Sequence, residues 1–265
     1  MECPLSTTDG LELSTRRWRA ARPKATVVLV HGFAASASQQ AVVAQAEALA
    51  EAGYDVFSYD SRGHGTSGGL CTLGDREVLD VAAAVERVRA AGQPVILVGA
   101  SMGAIAVLRY AATDDAGVAG VVSVSCPASW RPPRNLRGLA TMAITRTGPG
   151  RLLVRWWMKV RLSPRWTAAA PPVELAASIS APVAVVHGTD DPLFGPSEAM
   201  ELYRSGPGPR RLDIVPAMGH AFDRHAAAAV RAAVDWVAAS CAATVTAARQ
   251  AVATEGGDPP LAVAG

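Results

Sequence analysis

The chain has 265 residues, of which half are hydrophobic and 18% charged, with a formal net charge of +2. That length suits one large domain carrying an inserted subdomain, and the composition supplies a sizeable core, which excludes a disordered chain. No uninterrupted apolar run reaches the roughly 18 residues of a membrane span, so none is expected. The four cysteines, Cys3, Cys71, Cys126 and Cys241, have neither metal-ligand nor disulfide-framework spacing, so they are expected as free thiols with no metal. The N-terminal MECPLSTTDGLEL has neither the basic nor the apolar region of a signal peptide, which makes the cytoplasm the expected compartment. No nucleic-acid partner is expected, and the sequence leaves the oligomeric state open.

In chain order, LELSTRRW after the Asp9-Gly10 turn signal reads as an edge strand, and ATVVLV (25–30) as a strand buried on both faces. A helix over 38–52 follows, then the strand YDVFSYD (54–60), the glycine-rich loop SRGHGTSGG and a helix over 75–91. The strand 94–98 precedes a helix over 102–113 and the strand VAGVVSVS (118–125). Strand and helix alternation stops at Cys126-Pro127 and resumes with strand 181–188, a helix near 197–204, strand 210–216 and a helix over 222–239. Such alternation predicts an α/β fold, a mostly parallel sheet flanked by helices. The expected divisions are a core over 1–126 and 173–240, a helical insertion over 127–172, and a flexible tail over 241–265.

The chemistry-bearing residues fall at the carboxyl ends of the strands, where such sheets collect their functional loops. Strand 94–98 leads to Gly99-Ala100-Ser101-Met102-Gly103. A serine hydroxyl becomes a useful nucleophile when a sharp strand-to-helix turn exposes it beside a base, and small residues two positions either side permit that turn. Strand 181–188 runs into HGTDDPLF, with Asp190 and Asp191, and strand 210–216 into AMGHAFD, with His220. The order Ser…Asp…His is the one expected of a nucleophile-elbow hydrolase.

Over roughly residues 10–240 the sequence resembles the α/β-hydrolase family, through VLVHGF (28–33), YDSRGHGTSGG (59–69), GASMG (99–103), HGTDDPLF (187–194) and GH (219–220). The resemblance implies Ser101 as nucleophile, His220 as general base and then acid, and an aspartate orienting the imidazole. The family acid falls three residues after the glycine of HG, here Gly188, which selects Asp191 and leaves Asp190 as a turn former. The oxyanion donors implied are the N–H groups of Met102 and of Phe33 in the His31-Gly32-Phe33 loop, with Ala34 as the one-residue alternative. His31, His187, His64 and Arg62 are expected to be structural. Serine at the elbow excludes the carboxylate chemistry of epoxide hydrolases and haloalkane dehalogenases. The HGGG loop of hormone-sensitive-lipase-like esterases is absent, and no GxGxxG follows the first buried strand, so no dinucleotide cofactor is expected. Cofactor-free haloperoxidases share the triad.

Net charge hides an asymmetry. Between Asp115 and Glu174 there is no acidic residue, but nine basic ones occur: Arg131, Arg134, Arg137, Arg146, Arg151, Arg155, Lys159, Arg161 and Arg165. That segment, where the family inserts its lid, carries +9 and the rest of the chain −7. Within it GRLLVRWWMKVRL (150–162) reads as an amphipathic helix, with Leu152, Leu153, Trp156, Trp157 and Val160 on one stripe and Arg151, Arg155 and Lys159 on another. The apolar stripe is expected over the active site, with Phe33, Trp130, Trp156 and Trp157 as substrate-binding residues. The basic stripe is either a solvated face or a contact for an anionic carrier or acidic lipid head groups. The leading expectation is hydrolysis of small or medium carboxylic esters through an acyl-enzyme. The alternatives are a thioesterase or acyltransferase on carrier-bound acyl groups, a peptidase of the proline-aminopeptidase type, and a non-catalytic ligand binder.

Overall fold

A computed structural model of the chain describes residues 3–113, 116–130, 136–165 and 170–255. The first half contains β1 (Leu5–Ser6), β2 (Glu12–Leu13), β3 (Thr15–Trp18), β4 (Thr26–Val30), α1 (Gln40–Glu51), β5 (Asp55–Tyr59), α2 (Glu77–Arg89), β6 (Val95–Ala100) and α3 (Met102–Ala111). The second half contains β7 (Gly120–Val124), α4 (Leu136–Arg146), α5 (Gly148–Trp157), α6 (Pro172–Ser178), β8 (Val183–Gly188), α7 (Pro196–Tyr203), β9 (Arg210–Val215) and α8 (Ala226–Glu255). Seven strands form one sheet in the order β3-β5-β4-β6-β7-β8-β9, while β1 and β2 pair separately. Only β3 runs antiparallel to its neighbour; the other pairings in the large sheet are parallel.

Every residue of β4, β5, β6, β7 and β8 is buried. Both faces of these strands are covered, which is why they read as continuous apolar runs. Side chains alternate between two cores. Val28 and Val30 share one with Val81, Val85 and Val107 of α2 and α3. Val27 and Leu29 share the other with Val42 and Leu49 of α1 and Val230 and Val234 of α8. Because β4 to β9 run parallel, the loops that follow them all lie along one edge of the sheet.

Two segments differ from their sequence expectation. LELSTRRW does not form one edge strand: it divides at Ser14 into β2 and β3, with the Ser14 N–H donated to Ser67 Oγ at 2.9 Å. The final helix does not stop near residue 239 but continues to Glu255, so the segment expected as a flexible tail is helical through that residue. Alanine dominates 239–252 and no glycine or proline interrupts it, so local propensity carries the helix on. Residues 256–265 lie outside the described residues. By length and composition alone, Ala226–Ala243 is apolar enough to cross a membrane. Its buried residues Ala226, Val230, Ala233, Val234 and Val237 pack instead into the core that covers one sheet face.

The insertion expected over 127–172 contributes α4 and α5, and α6 begins at its last residue; residues 131–135 and 166–169 lie outside the described residues. Its two ends meet, because the Val173 N–H donates to Ala128 O at 2.9 Å. The chain leaving α5 is tied to the glycine-rich loop. Arg161 N–H donates to Gly63 O (2.8 Å), Cys71 N–H to Arg161 O (2.7 Å), and Ser163 N–H to Cys71 O (2.8 Å).

That glycine-rich loop is organised around a buried guanidinium. Asp80 Oδ1 accepts from Arg62 Nε at 2.9 Å and from its terminal nitrogen at 2.7 Å, Asp80 Oδ2 accepts the Arg62 N–H at 2.8 Å, and Asp9 accepts from the other side at 2.9 Å. Burial works against the guanidinium charge, but the Asp80 and Asp9 carboxylates outweigh it and raise the Arg62 pKa above its ordinary value. The hydrogen bonds from Arg62 hold Asp9 down to about 2. Burial pushes Asp80 up to about 6 against the pull of Arg62, which leaves it ionised at neutral pH. Removing one partner of such a pair strands the other charge. Asp80→Ala is therefore expected to lower the unfolding free energy by about 3–5 kcal/mol in urea melts, and a loss below about 1 kcal/mol would contradict the arrangement.

Candidate active site

Ser101 stands between β6 and α3 with φ 51° and ψ −114°, a conformation that a side chain rarely adopts. Glycines on both sides make the turn possible. A Cβ on Gly99 would lie 2.5 Å from Gly103 O, and one on Gly103 would lie 2.5 Å from Val30 O and 2.6 Å from His31 O. The start of α3 therefore rests directly on the backbone of β4. The Ser101 N–H donates to Val124 O of β7 at 2.8 Å, which fastens the turn to the neighbouring strand. Ser101 itself is partly exposed.

The loop after β4 lies against this turn. A Cβ on Gly32 would approach Ser101 Cβ to 3.4 Å and Ala100 O to 3.2 Å. His31, fully buried, fixes the loop: its Nε2 accepts the Ser61 N–H at 3.0 Å, so its proton sits on Nδ1 and is donated to Gly32 O at 2.8 Å. Burial holds the His31 pKa down at about 4. His64 donates from Nδ1 to Arg62 O at 3.1 Å and packs edge-on against the rings of His31 and Phe33. Burial, helped by the His31 charge, brings His64 to about 4 as well. Among the described residues the N–H groups of Phe33 and Met102 donate to no acceptor, so both sequence-predicted oxyanion donors are unpaired. Ala34, the alternative donor, adopts φ 60°.

From the far side of the sheet come Asp191 and His220. Asp191 Oδ2 accepts from His220 Nδ1 at 2.7 Å, with the carboxylate fully buried. Its Oδ1 accepts the N–H groups of Leu193 (2.8 Å) and Phe194 (3.1 Å). Burial alone would raise the Asp191 carboxyl, but the His220 hydrogen bond and charge and the two amides hold it below the usual carboxylate range. Asp190, the other candidate from the sequence, is exposed and accepts from Thr189 Oγ1 at 2.8 Å. His187 donates from Nε2 to Phe194 O at 3.0 Å, with that nitrogen 3.7 Å from Asp191 Oδ2, so it braces the aspartate loop.

Sequence reasoning missed Ser125. At the end of β7 it takes φ 49°, donates its N–H to Val186 O at 2.9 Å, and accepts the Ala221 N–H on Oγ at 3.1 Å. One residue thus ties the histidine loop to the strand beside the elbow. No motif marks it; the only signal is its position in VSVSCP, at the carboxyl end of a buried strand.

Over the elbow, Met102 shares a small apolar cluster with Cys71, Val154, Val160 and Leu162, against which Phe33 and Ile144 pack. The α5 residue turned inward is Val154, which was absent from the expected stripe. Trp156 and Trp157, expected to line a substrate pocket, face solvent, as do Leu152 and Leu153, and Trp130 is also exposed. Within α5 the stripe lies one face away from its expected place, while Val160, beyond the helix, is buried in the cluster over Met102 as expected. Thr147 caps α5 by accepting the Gly150 N–H at 3.2 Å, and Gly150 has no room for a Cβ against Ile144. Gly150 and Val154, four residues apart, set the inward face.

Comparisons with known proteins bear on the family and the fold. The family model described as serine aminopeptidase, S33, matches residues 21–175. Among solved structures, an esterase of Pyrococcus furiosus, Pf2001, is similar at 22% identity, covering 89% of this chain and 88% of its own, with a TM-score of 0.69. Est1E from Butyrivibrio proteoclasticus, solved with ferulic acid bound, is 18% identical over 91% of this chain and 100% of its own, with a TM-score of 0.67. The esterase RhEst1 from Rhodococcus sp. ECU1013 is 23% identical over 90% and 98%, with a TM-score of 0.65. At these identities the solved structures establish the α/β-hydrolase fold. No curated protein sequence matches the chain.

The histidine environments give a pH dependence with a definite sign. His31 and His64 fall to about 4 on folding from the ordinary 6.5. The unfolded chain therefore binds protons that the folded chain refuses, and their contribution is full above pH 6.5 and lost as pH falls towards 4. Asp80, raised to about 6, works in the opposite direction over part of that range. Urea melts are expected to show a net loss of about 2–3 kcal/mol from about pH 7 to about pH 5; a flat profile would show that the two imidazoles accept protons without cost.

Proposed function

The chain belongs to the serine aminopeptidase S33 family of α/β hydrolases, and from that premise we propose that it hydrolyses carboxylic esters of small or medium acyl groups through a covalent acyl-enzyme. The observation that carries the proposal is the 2.7 Å bond between His220 Nδ1 and the buried Asp191, with Ser101 at a strained elbow beside two unpaired amides. Ser101 Oγ attacks the carbonyl carbon and passes its proton to His220 Nε2. Asp191 keeps the other ring proton on Nδ1 and stabilises the imidazolium. The N–H groups of Phe33 and Met102 receive the developing oxyanion. His220 then returns its proton to the leaving alcohol, leaving Ser101 acylated. Water, deprotonated by His220, attacks the ester carbonyl and releases the acid and the free serine.

The acyl group would lie against Phe33, Met102 and Val154, the apolar side chains beside the elbow. The family's description names aminopeptidases, which must hold a substrate α-ammonium. The insertion beside the site offers no carboxylate for it, since no acidic residue occurs between Asp115 and Glu174. That favours esters over amino-terminal amides, as do the esterase neighbours. The same cationic segment favours a second reading, a thioesterase or acyltransferase on acyl groups borne by an anionic carrier.

A fluorophosphonate probe is expected to label Ser101, seen by peptide mass spectrometry, and to label neither Ser101→Ala nor unfolded protein. Absence of labelling in folded wild type would remove the nucleophile. Asp191→Asn is expected to retain the fold and lose about 10⁴ in kcat, because the wrong histidine tautomer is held. Turnover of p-nitrophenyl esters of increasing chain length is expected to peak at short or medium acyl groups. Faster turnover of matched thioesters would favour the carrier reading, and faster turnover of aminoacyl p-nitroanilides the peptidase one.

A further inference from the structure

At 100° per residue, α5 has three distinct faces. Gly150 and Val154 point inward, Val154 into the cluster with Met102. Beside them Leu152, Trp156, Leu153 and Trp157 span an arc of about 140°, and they are 57%, 75%, 48% and 85% exposed. Met158, directly after the helix, is also exposed. On the remaining side stand Arg151 and Arg155, continued by Lys159 past the helix end. Among the described residues none of these three forms an ion pair. Two adjacent tryptophans and two leucines exposed on one ten-residue helix form an apolar patch in search of a cover, and single exposed apolar residues do not account for it.

We propose that this outward face of α5 is a docking surface for an anionic lipid bilayer. An indole has an apolar body and a polar N–H, which suits the boundary between acyl chains and head groups. Leucine on the same arc inserts beside it. Arginine and lysine on the flank extend their apolar stems along the surface and place their charges on lipid phosphates. The charge pattern selects this occupant over a second copy of the chain, because a bilayer offers phosphates to the cationic flank, whereas an insertion without an acidic residue offers none to its own copy, and an antiparallel pairing would set the two flanks side by side. The insertion as a whole carries no acidic residue to repel an anionic membrane. Docking through the outward face of α5 would leave the Met102 side of the same helix, and with it the Ser101 elbow, one helix diameter, roughly 10 Å, from the membrane surface. The docking does not depend on the hydrolase reading, though it would give that reading its substrate class, amphiphilic esters resident in a bilayer.

The test is co-sedimentation of the full chain with phosphatidylglycerol–phosphatidylcholine vesicles and with pure phosphatidylcholine vesicles, alongside tryptophan emission. Wild type is expected to bind the anionic vesicles with a blue shift, to bind neutral ones at least about tenfold more weakly, and to lose binding as salt rises. Trp156→Ala with Trp157→Ala, and separately Arg151→Gln with Arg155→Gln, are each expected to lower the partition coefficient by about tenfold or more. Unchanged melting temperatures show that these variants fold, and tryptophan-free sedimentation provides the readout where the indoles are removed. No binding of wild type to anionic vesicles at low salt would overturn the proposal. So would binding that survives both double variants, or equal binding to both vesicle types. Concentration-dependent dimerisation abolished by the tryptophan substitutions, without vesicle binding, would reassign the face to self-association.

Discussion

Backbone lying directly on backbone is the constraint from which the site follows. Gly103 lets α3 begin against Val30 and His31, Gly99 lets the strand pass beneath that first turn, and Gly32 lets the next loop lie on Ser101. With a Cβ at any of the three, the helix start would have to lift or the loop retreat. Lifting it would separate the Met102 N–H from the Phe33 N–H and relax the left-handed serine. The unpaired N–H of Met102 is also the start of a helix, so its position combines a donor with the positive end of the helix dipole. Three glycines thus act together, and the nucleophile's strain is maintained by contacts several residues away.

A second layer sets protonation. His31 works only as a neutral ring, because one nitrogen must accept from Ser61 while the other donates to Gly32. Burial secures that state, and the loop bearing Phe33 inherits its position from it. Across the sheet the demand is opposite: Asp191 must remain charged although buried, and two loop amides with His220 supply the compensation. Positive φ angles gather around the same edge, at Ala34, Ser101, Ser125, Ala217 and Ala221. None of these is glycine, so the cost of their conformation is borne by the packing around them.

The fold was legible because buried parallel strands leave an unmistakable mark. ATVVLV and VILVGA are apolar throughout, and the glycine-flanked loops after them announced their own geometry. The pairing of His220 with Asp191 followed from chain order and resemblance. Ser125 was not legible, since a hydroxyl that accepts one N–H leaves no pattern, and its partner lies 96 residues away. The face of α5 was misread for a related reason. Leu152, Leu153, Trp156 and Trp157 outweigh Val154 in hydrophobicity, so the sequence suggests that the larger residues point inward. What decides the matter is the cap at Thr147 and the absence of a Cβ at Gly150, which bring the small side of the helix close to the core. Steric clearance, rather than hydrophobicity, set the rotation.

The hydrogen bond from Val173 to Ala128 gives the insertion a single point of departure and return. A segment whose ends already touch can be exchanged for another of different length without re-spacing β7 and β8, so the catalytic scaffold and its cover are separable in evolution and in the laboratory. Among the described residues a further seam is the short run of backbone bonds joining Gly63, Cys71, Arg161 and Ser163, flanked by the apolar packing of Val154, Val160 and Leu162 on Met102. A graft that preserves that seam together with the Ala128–Val173 closure inherits the elbow intact, and new acyl or alcohol preferences become a matter of cassette replacement.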